Sequence, residues 1–235
     1  MLPFADRRSA GKALASRVYA TVSDKNVLVL ALPRGGVPVA FEVAEALRAP
    51  LDVLVVRKLG VPGEEELALG AMASGGVRVL NRELIDCLGI ADEVIQTVTN
   101  QENLELERRE RLYREGRSAL EVEDRTVVLV DDGLATGATM LAAARSLRGR
   151  AKRIVVAVPV AAKQTCQDFE SHVDQVICLA TPDPFVSVSQ WYSDFAPTRD
   201  EEVQRLLEES ARTKKRSSAS NLWGNENESR NCADQ

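Results

Sequence analysis

The chain has 235 residues, 45% of them hydrophobic and 28% charged, the balance of a globular protein with room for one sizeable domain. Its formal net charge of -5 argues against bulk attraction to nucleic acid or an anionic membrane. No apolar run approaches the ~20 residues that span a bilayer, and the N-terminal stretch "MLPFADRRSAGK" lacks the apolar segment of a signal peptide. Cys87, Cys166, Cys178 and Cys232 are scattered and form no C-x-x-C pair. Cys178 lies in a strand-like run and reads as a buried free thiol. Zinc and a disulfide framework are poorly supported, and a reducing cytoplasm fits.

In chain order, residues 7–22 read as an amphipathic helix, with Leu14, Val18 and Val22 spaced by four. "NVLVLAL" (26–32) is a strand covered on both faces. "PRGG" follows, then a helix from about Val37 to Leu47 with Pro38 in its first turn. "LDVLVV" (51–56) is a second buried strand. Residues 57–76 are glycine-rich with no sustained period and read as a long functional loop. "VRVL" (77–80) is a candidate edge strand. Residues 91–117 read as one long charged helix with i,i+4 pairs such as Glu105–Arg109. Then come a strand at 127–130, a loop, a helix at 139–148, a strand at 153–161, a helix at 162–171 and a strand at 175–180. This alternation predicts an α/β fold, a doubly wound, mainly parallel sheet. Ligands in such sheets sit outside the carboxyl ends of the strands. The loops 33–36, 57–76, 131–139 and 181–195 each follow a strand and should share that edge. The expected domain spans residues 1–210, and 211–235 read as a polar, disordered tail.

The stretch "TVVLVDDGLATGATMLAAARSL" (126–147) carries the chemistry. Gly133 and Gly137 let backbone N–H groups point inward without a Cβ in the way. Leu134, Ala135 and Ala138 contribute backbone, and Thr136 and Thr139 add hydroxyls. At a helix N-terminus this makes a seat for a phosphate monoester. The loop has no lysine, so it is not the nucleoside-triphosphate P-loop. Asp131 and Asp132 accept hydrogen bonds in pairs, which suits a sugar with two adjacent hydroxyls and a divalent cation.

"VVLVDDGLATGATM" resembles the phosphoribosyl pyrophosphate signature of the type I phosphoribosyltransferases, and the resemblance covers about residues 25–195. It implies that loop 131–139 holds the ribose 5-phosphate and that Asp131 and Asp132 hold the ribose hydroxyls. "LPRGG" resembles the family's pyrophosphate loop. Arg34, Gly35 and Gly36 would lie on the pyrophosphate, with a non-proline cis peptide at Pro33–Arg34. "VVRKLGVPG" resembles adenine phosphoribosyltransferases and implies Arg57 and Lys58 near the pyrophosphate, with residues 59–76 as a flexible lid. The family's Mg²⁺ would meet Asp131 and Asp132 through substrate and water. The implied reaction transfers ribose 5-phosphate to a nitrogenous base, purine-like in some of these enzymes, and releases pyrophosphate.

The general base stays open. Glu64, Glu65 and Glu66 are the lid's acids, and they read more readily as a solvated turn. His172 reads as a surface residue. Base recognition falls to a small C-terminal hood, "TPDPFVSVSQWYSDF" (181–195), through Phe185, Trp191 and Tyr192, with Phe195 also suited to an apolar cluster. The alternative is a non-catalytic sensor of phosphoribosyl pyrophosphate or nucleotides on the same fold; "RTKKR" (212–216) is too short for the DNA-binding element that such regulators add. Partners are expected to be small molecules, not nucleic acid or membrane, and a homodimer stays open.

Overall fold

The computed structural model describes residues 2–213, apart from the side chains of residues 65 and 66. Its main sheet has five strands, β1 (Val27–Ala31), β2 (Leu51–Val53), β6 (Thr126–Val130), β7 (Arg153–Val160) and β8 (Gln175–Ala180), in the order β2-β1-β6-β7-β8. Every pairing in it is parallel. β1, β6 and β7 are continuous Val, Ile and Leu runs of the sequence, and they are continuous because both faces are covered. Val128 and Val130 face one core with Leu14 and Val18 of α1 (Arg7–Thr21) and Val39 and Val43 of α2 (Gly36–Leu47). Val127 and Leu129 face the other, with Met140 and Leu147 of α5 (Ala138–Leu147) and Phe169 of α6 (Lys163–Phe169).

Residues 57–76 correct the reading as a loop. They form most of a second, antiparallel sheet, β3 (Val56–Val61), β4 (Glu64–Ala73) and β5 (Val77–Leu80), in the order β3-β4-β5. Glycine hid the pattern. Gly70 is needed because a Cβ there would stand 2.2 Å from the Val79 carbonyl oxygen on the neighbouring strand. Register shifts between Leu59 and Val61 break the alternation further. Leu59, Val61, Leu69 and Met72 are buried, while Leu67 is exposed. The second core strand is correspondingly shorter than 51–56, since the chain changes sheets between Val53 and Val56.

The long charged helix expected over 91–117 forms as α4 (Asp92–Arg114), and a short helix that the sequence did not announce, α3 (Arg82–Leu88), precedes it. Asn81 caps α3 by accepting the Leu84 N–H at 3.2 Å, and Gly89 ends it in the left-handed conformation. On α4 the Glu105–Arg109 pair forms at 2.7 Å. A further helix, α7, covers 200–213. Val203, Leu206 and Leu207 bury its inner stripe, which a reading that stopped at the polar tail passed over. Residue 210 lies inside this helix, while the tail expected beyond it falls almost wholly outside the described residues.

Cys178 is not a free thiol. Packing of α6 on β8 brings it to Cys166, and the two form a disulfide with Cα atoms 6.7 Å apart. The pairing depends on how a helix seats on a strand, which their separation in sequence does not reveal. Among the described residues, no helix is long and apolar enough to cross a membrane.

Candidate active site

β1 and β6 are parallel neighbours, with Ala31 opposite Val130. The loops that follow them therefore emerge side by side at the carboxyl edge of the sheet. Leu32 N–H donates to the Val130 carbonyl at 2.9 Å, holding the first loop against the second. The Pro33–Arg34 peptide is cis. A Cβ on Gly35 would stand 2.1 Å from Asp132 Oδ2, and one on Gly36 would stand 2.7 Å from the Val130 carbonyl oxygen and 2.9 Å from Asp131 Cα. The two glycines are what let the loops touch. The obstacles differ in kind, and so should the variants. Gly36→Ala meets backbone that cannot swing aside, and it should cost ~1–3 kcal/mol of stability in a denaturant melt. Gly35→Ala meets a side chain, so it should fold but displace the Asp132 carboxylate.

Asp131 Oδ1 accepts the Asp132 N–H at 2.8 Å. Asp132 Oδ2 pairs with Arg7 Nε at 2.8 Å, and its side chain is only 15% exposed. Burial pushes the pKa of Asp131 well above its usual value, and the neighbouring Asp132 charge adds to this. Burial also raises Asp132, while the hydrogen bond and charge of Arg7 work against it. Tyr192 donates its hydroxyl to the Asp132 carbonyl oxygen. Burial and the two acids raise the pKa of that phenol and keep it a donor.

The loop after β6 is tied down on its far side. Leu134 N–H donates to the Val160 carbonyl and its own carbonyl accepts from Ala162 N–H, both at 2.9 Å. Thr165 Oγ1 donates to the Ala135 carbonyl at 2.6 Å. Gly133 fits under Val188, where a Cβ would stand 2.5 Å from the Val188 side chain. Gly137, in the left-handed conformation at φ 75°, precedes α5, and a Cβ there would stand 2.5 Å from the Phe169 ring. Ala135, Thr136, Ala138 and Thr139 are left exposed around the start of α5. The first-turn N–H groups of a helix lack intrahelical partners and favour an anion.

Strand alternation separates Arg57 from Lys58. Arg57 Nε bonds Glu102 Oε2 on α4 at 2.6 Å. Lys58 lies on the other face and lines, with Ala138, Thr139 and Arg145, a cleft of about 300 Å³ between the small sheet and α5. Arg34 is half exposed, 3.9 Å from Asp200 at the start of α7, and Tyr113 holds Asp200 with a 2.9 Å hydrogen bond. In the hood, Phe185 and Trp191 stack with centroids 6.5 Å apart. Tyr192 turns inward, 6% exposed, between Phe4 and Phe195. Glu64 is exposed at the start of β4. Arg7, Thr165 and Asp200 were not among the sequence candidates, and no local motif marks them.

Among the described residues no cluster of three His, Cys, Asp or Glu side chains could hold a metal. The site offers two adjacent carboxylates, one already paired with arginine. That suits Mg²⁺, which keeps its waters and takes phosphate oxygens from a substrate, and would not suit an ion that needs a protein cage.

Residues 6–195 match the model of the phosphoribosyl transferase domain. The chain belongs to this family. Two Mycobacterium tuberculosis proteins, from strains CDC 1551 / Oshkosh and H37Rv, each bear the name "Putative phosphoribosyl transferase" and are 47% identical to it over 210 residues. The match covers 89% of this chain and 47% of theirs, so the chain spans about half the length of these relatives. The crystal structure of TT1426 from Thermus thermophilus is also similar, with a TM-score of 0.78 and 40% identity over 88% of this chain and 98% of that one. Family membership thus covers both loops of the site and the hood.

Proposed function

We propose that this domain transfers ribose 5-phosphate from phosphoribosyl pyrophosphate to a ring nitrogen of a flat, purine-like base and releases pyrophosphate. The observation that carries the reading is the contact between the two loops: Gly35 and Gly36 abut Asp132 and Asp131. A loop suited to pyrophosphate and a loop suited to a 5-phosphate thereby meet at a pair of acids suited to a ribose. In the reaction the bond from C1 to the pyrophosphate oxygen breaks, and a bond from C1 to the base nitrogen forms. The base loses its N–H proton to solvent or to the leaving group. Positive charge gathers on the ring, where Asp131 and Asp132 favour it, and negative charge gathers on the pyrophosphate, beside Arg34 and Lys58. N–H groups and hydroxyls of the exposed stretch around Ala135, Thr136, Ala138 and Thr139 would hold the 5-phosphate, on the turn that Gly133, Leu134 and Gly137 shape. Phe185 and Trp191 would offer aromatic faces to the base, with Tyr192 and Arg57 acting from behind the site. Mg²⁺, carried by the donor's phosphates, would neutralise the leaving group. Such a charged donor does not cross a bilayer unaided, so the reading sets the reaction in the cytoplasm.

The test of donor recognition is thermal. Phosphoribosyl pyrophosphate with Mg²⁺ at 100 times its dissociation constant should add ~2.7 kcal/mol, a rise of roughly 5–10 °C in Tm for a domain of this size. Folded protein with an unmoved Tm at millimolar donor would remove this reading.

A further inference from the structure

The acidic pair is held from behind by a bracket that the transfer chemistry does not itself demand. The N-terminal arm lies alongside the hood. Phe4 N–H donates to the Trp191 carbonyl at 2.8 Å, Ser193 N–H to the Phe4 carbonyl at 2.7 Å, and Asp194 N–H to the Ala5 carbonyl at 2.9 Å. The rings of Phe4 and Tyr192 pack 5.7 Å apart. Asp6 then caps α1 by accepting the Ser9 N–H at 2.7 Å, which sets the direction in which the helix begins.

Arg7 is the first residue of that helix, and its guanidinium is fixed on three sides. Nε donates to Asp132 Oδ2 at 2.8 Å, Nη1 donates to the Ala196 carbonyl at 2.7 Å, and the group lies 3.8 Å over the Phe195 ring. Its side chain is 11% exposed. A guanidinium held this way anchors one oxygen of the carboxylate it meets. Oδ2 is engaged, so Oδ1 is the oxygen left to face a ligand. The Tyr192 hydroxyl fixes the main chain of the same residue at its carbonyl. Asp132 is thus oriented from α1 and from the hood, while Gly35 leaves it room from the pyrophosphate loop.

We propose that Arg7 is a positioning residue for the donor's ribose: by gripping Oδ2 it orients Asp132 to accept the ribose hydroxyls, with residues 4–5 and 191–196 serving as its bracket. This rests on the transfer reading above. The competing view is that Arg7 merely staples α1 to the domain. The two views differ in which ligands feel its loss. A staple acts on every ligand through the fold. A positioning residue acts only on ligands that carry ribose hydroxyls.

The experiment is calorimetric titration of the full chain, with Mg²⁺, using phosphoribosyl pyrophosphate, ribose 5-phosphate and inorganic pyrophosphate. Arg7→Ala should weaken the two ribose ligands about tenfold to a hundredfold, the range for a hydrogen bond to a charged group, and leave pyrophosphate within about twofold. Arg7→Lys keeps the charge without the fork and should recover part of the loss. In an Asp132→Asn background, Arg7→Ala should cost little more, because the pair acts as a unit. Equal losses for all three ligands, or unchanged ribose binding, would overturn the proposal. If Arg7→Ala does not fold, Arg7→Lys and Phe195→Leu, which removes the shelf under the guanidinium, make the same comparison. A wild-type chain that binds none of the three overturns the transfer reading and this inference with it; wild-type binding with an indifferent Arg7→Ala overturns the inference alone.

Discussion

Arg34→Ala and Lys58→Ala should each lower turnover about a hundredfold to a thousandfold, ~2.7–4 kcal/mol of barrier, while donor affinity falls much less. In the proposed reaction both cations would gain most when the pyrophosphate takes up negative charge, so their contribution would grow between ground state and transition state. Arg34 shows how the ground state is held without the donor: it is half exposed and stands 3.9 Å from Asp200, which Tyr113 fixes in place. On the proposed reading the donor would draw the guanidinium from a carboxylate to a phosphate. Asp200→Asn should therefore tighten pyrophosphate binding modestly, by a few-fold, given that exposed ion pairs are worth ~0.2–1 kcal/mol. Steady-state kinetics beside equilibrium titration separates the effects. Equal losses of turnover and affinity for both cation variants would mean that they bind substrate and transition state alike, which suits a sensor better than an enzyme.

Asp131→Asn should move stability and function in opposite directions. Burial and the Asp132 charge raise the pKa of Asp131 well above its usual 3.8. The folded protein thus holds this proton more tightly than the unfolded chain does. Stability contributed by the protonated form is complete below the unfolded value and is lost as pH rises through the folded value. At neutral pH, above the unfolded value, burying Asp131 is therefore a net cost to the fold. Asparagine removes the charge and retains an Oδ1 that can accept the Asp132 N–H. The variant should melt higher at pH 7, by about 2–4 °C for each ~1 kcal/mol recovered. The gain should shrink as pH falls towards 4. Binding of phosphoribosyl pyrophosphate should meanwhile drop by an order of magnitude or more, because the carboxylate proposed to accept from a sugar hydroxyl is gone. A lower Tm at pH 7, or a gain that grows on acidification, would show that the Asp131 charge does not destabilise the fold.

The parts of this site that could be read from sequence are those written contiguously. Strands β1, β6 and β7 are unbroken apolar runs because both faces are buried. The acids and the loop proposed to hold a phosphate follow β6 without interruption. The β3–β4 hairpin was obscured because Gly70 serves the close approach of a neighbouring strand, and glycine carries no periodicity. Arg7 could not be found, since its partner lies 125 residues away and nothing near it in sequence announces an acid. Tyr192 illustrates the same limit. As a residue type it suited a stacking platform, yet its hydroxyl satisfies a backbone carbonyl beneath the acids, and only tertiary packing decides which way an aromatic turns. The Cys166–Cys178 bond is likewise a product of how α6 seats on β8.

Whether this site transfers ribose 5-phosphate is decided by product formation. The full chain is incubated with Mg²⁺, phosphoribosyl pyrophosphate and a panel of purine and pyrimidine bases, with pyrophosphate release followed in time and products weighed by mass spectrometry. The expected result is pyrophosphate release that depends on one base or a few related bases, with a matching nucleotide mass, and loss of both in Arg34→Ala. Tight donor binding without base-dependent pyrophosphate release from any base would contradict transfer and leave the sensor reading in its place.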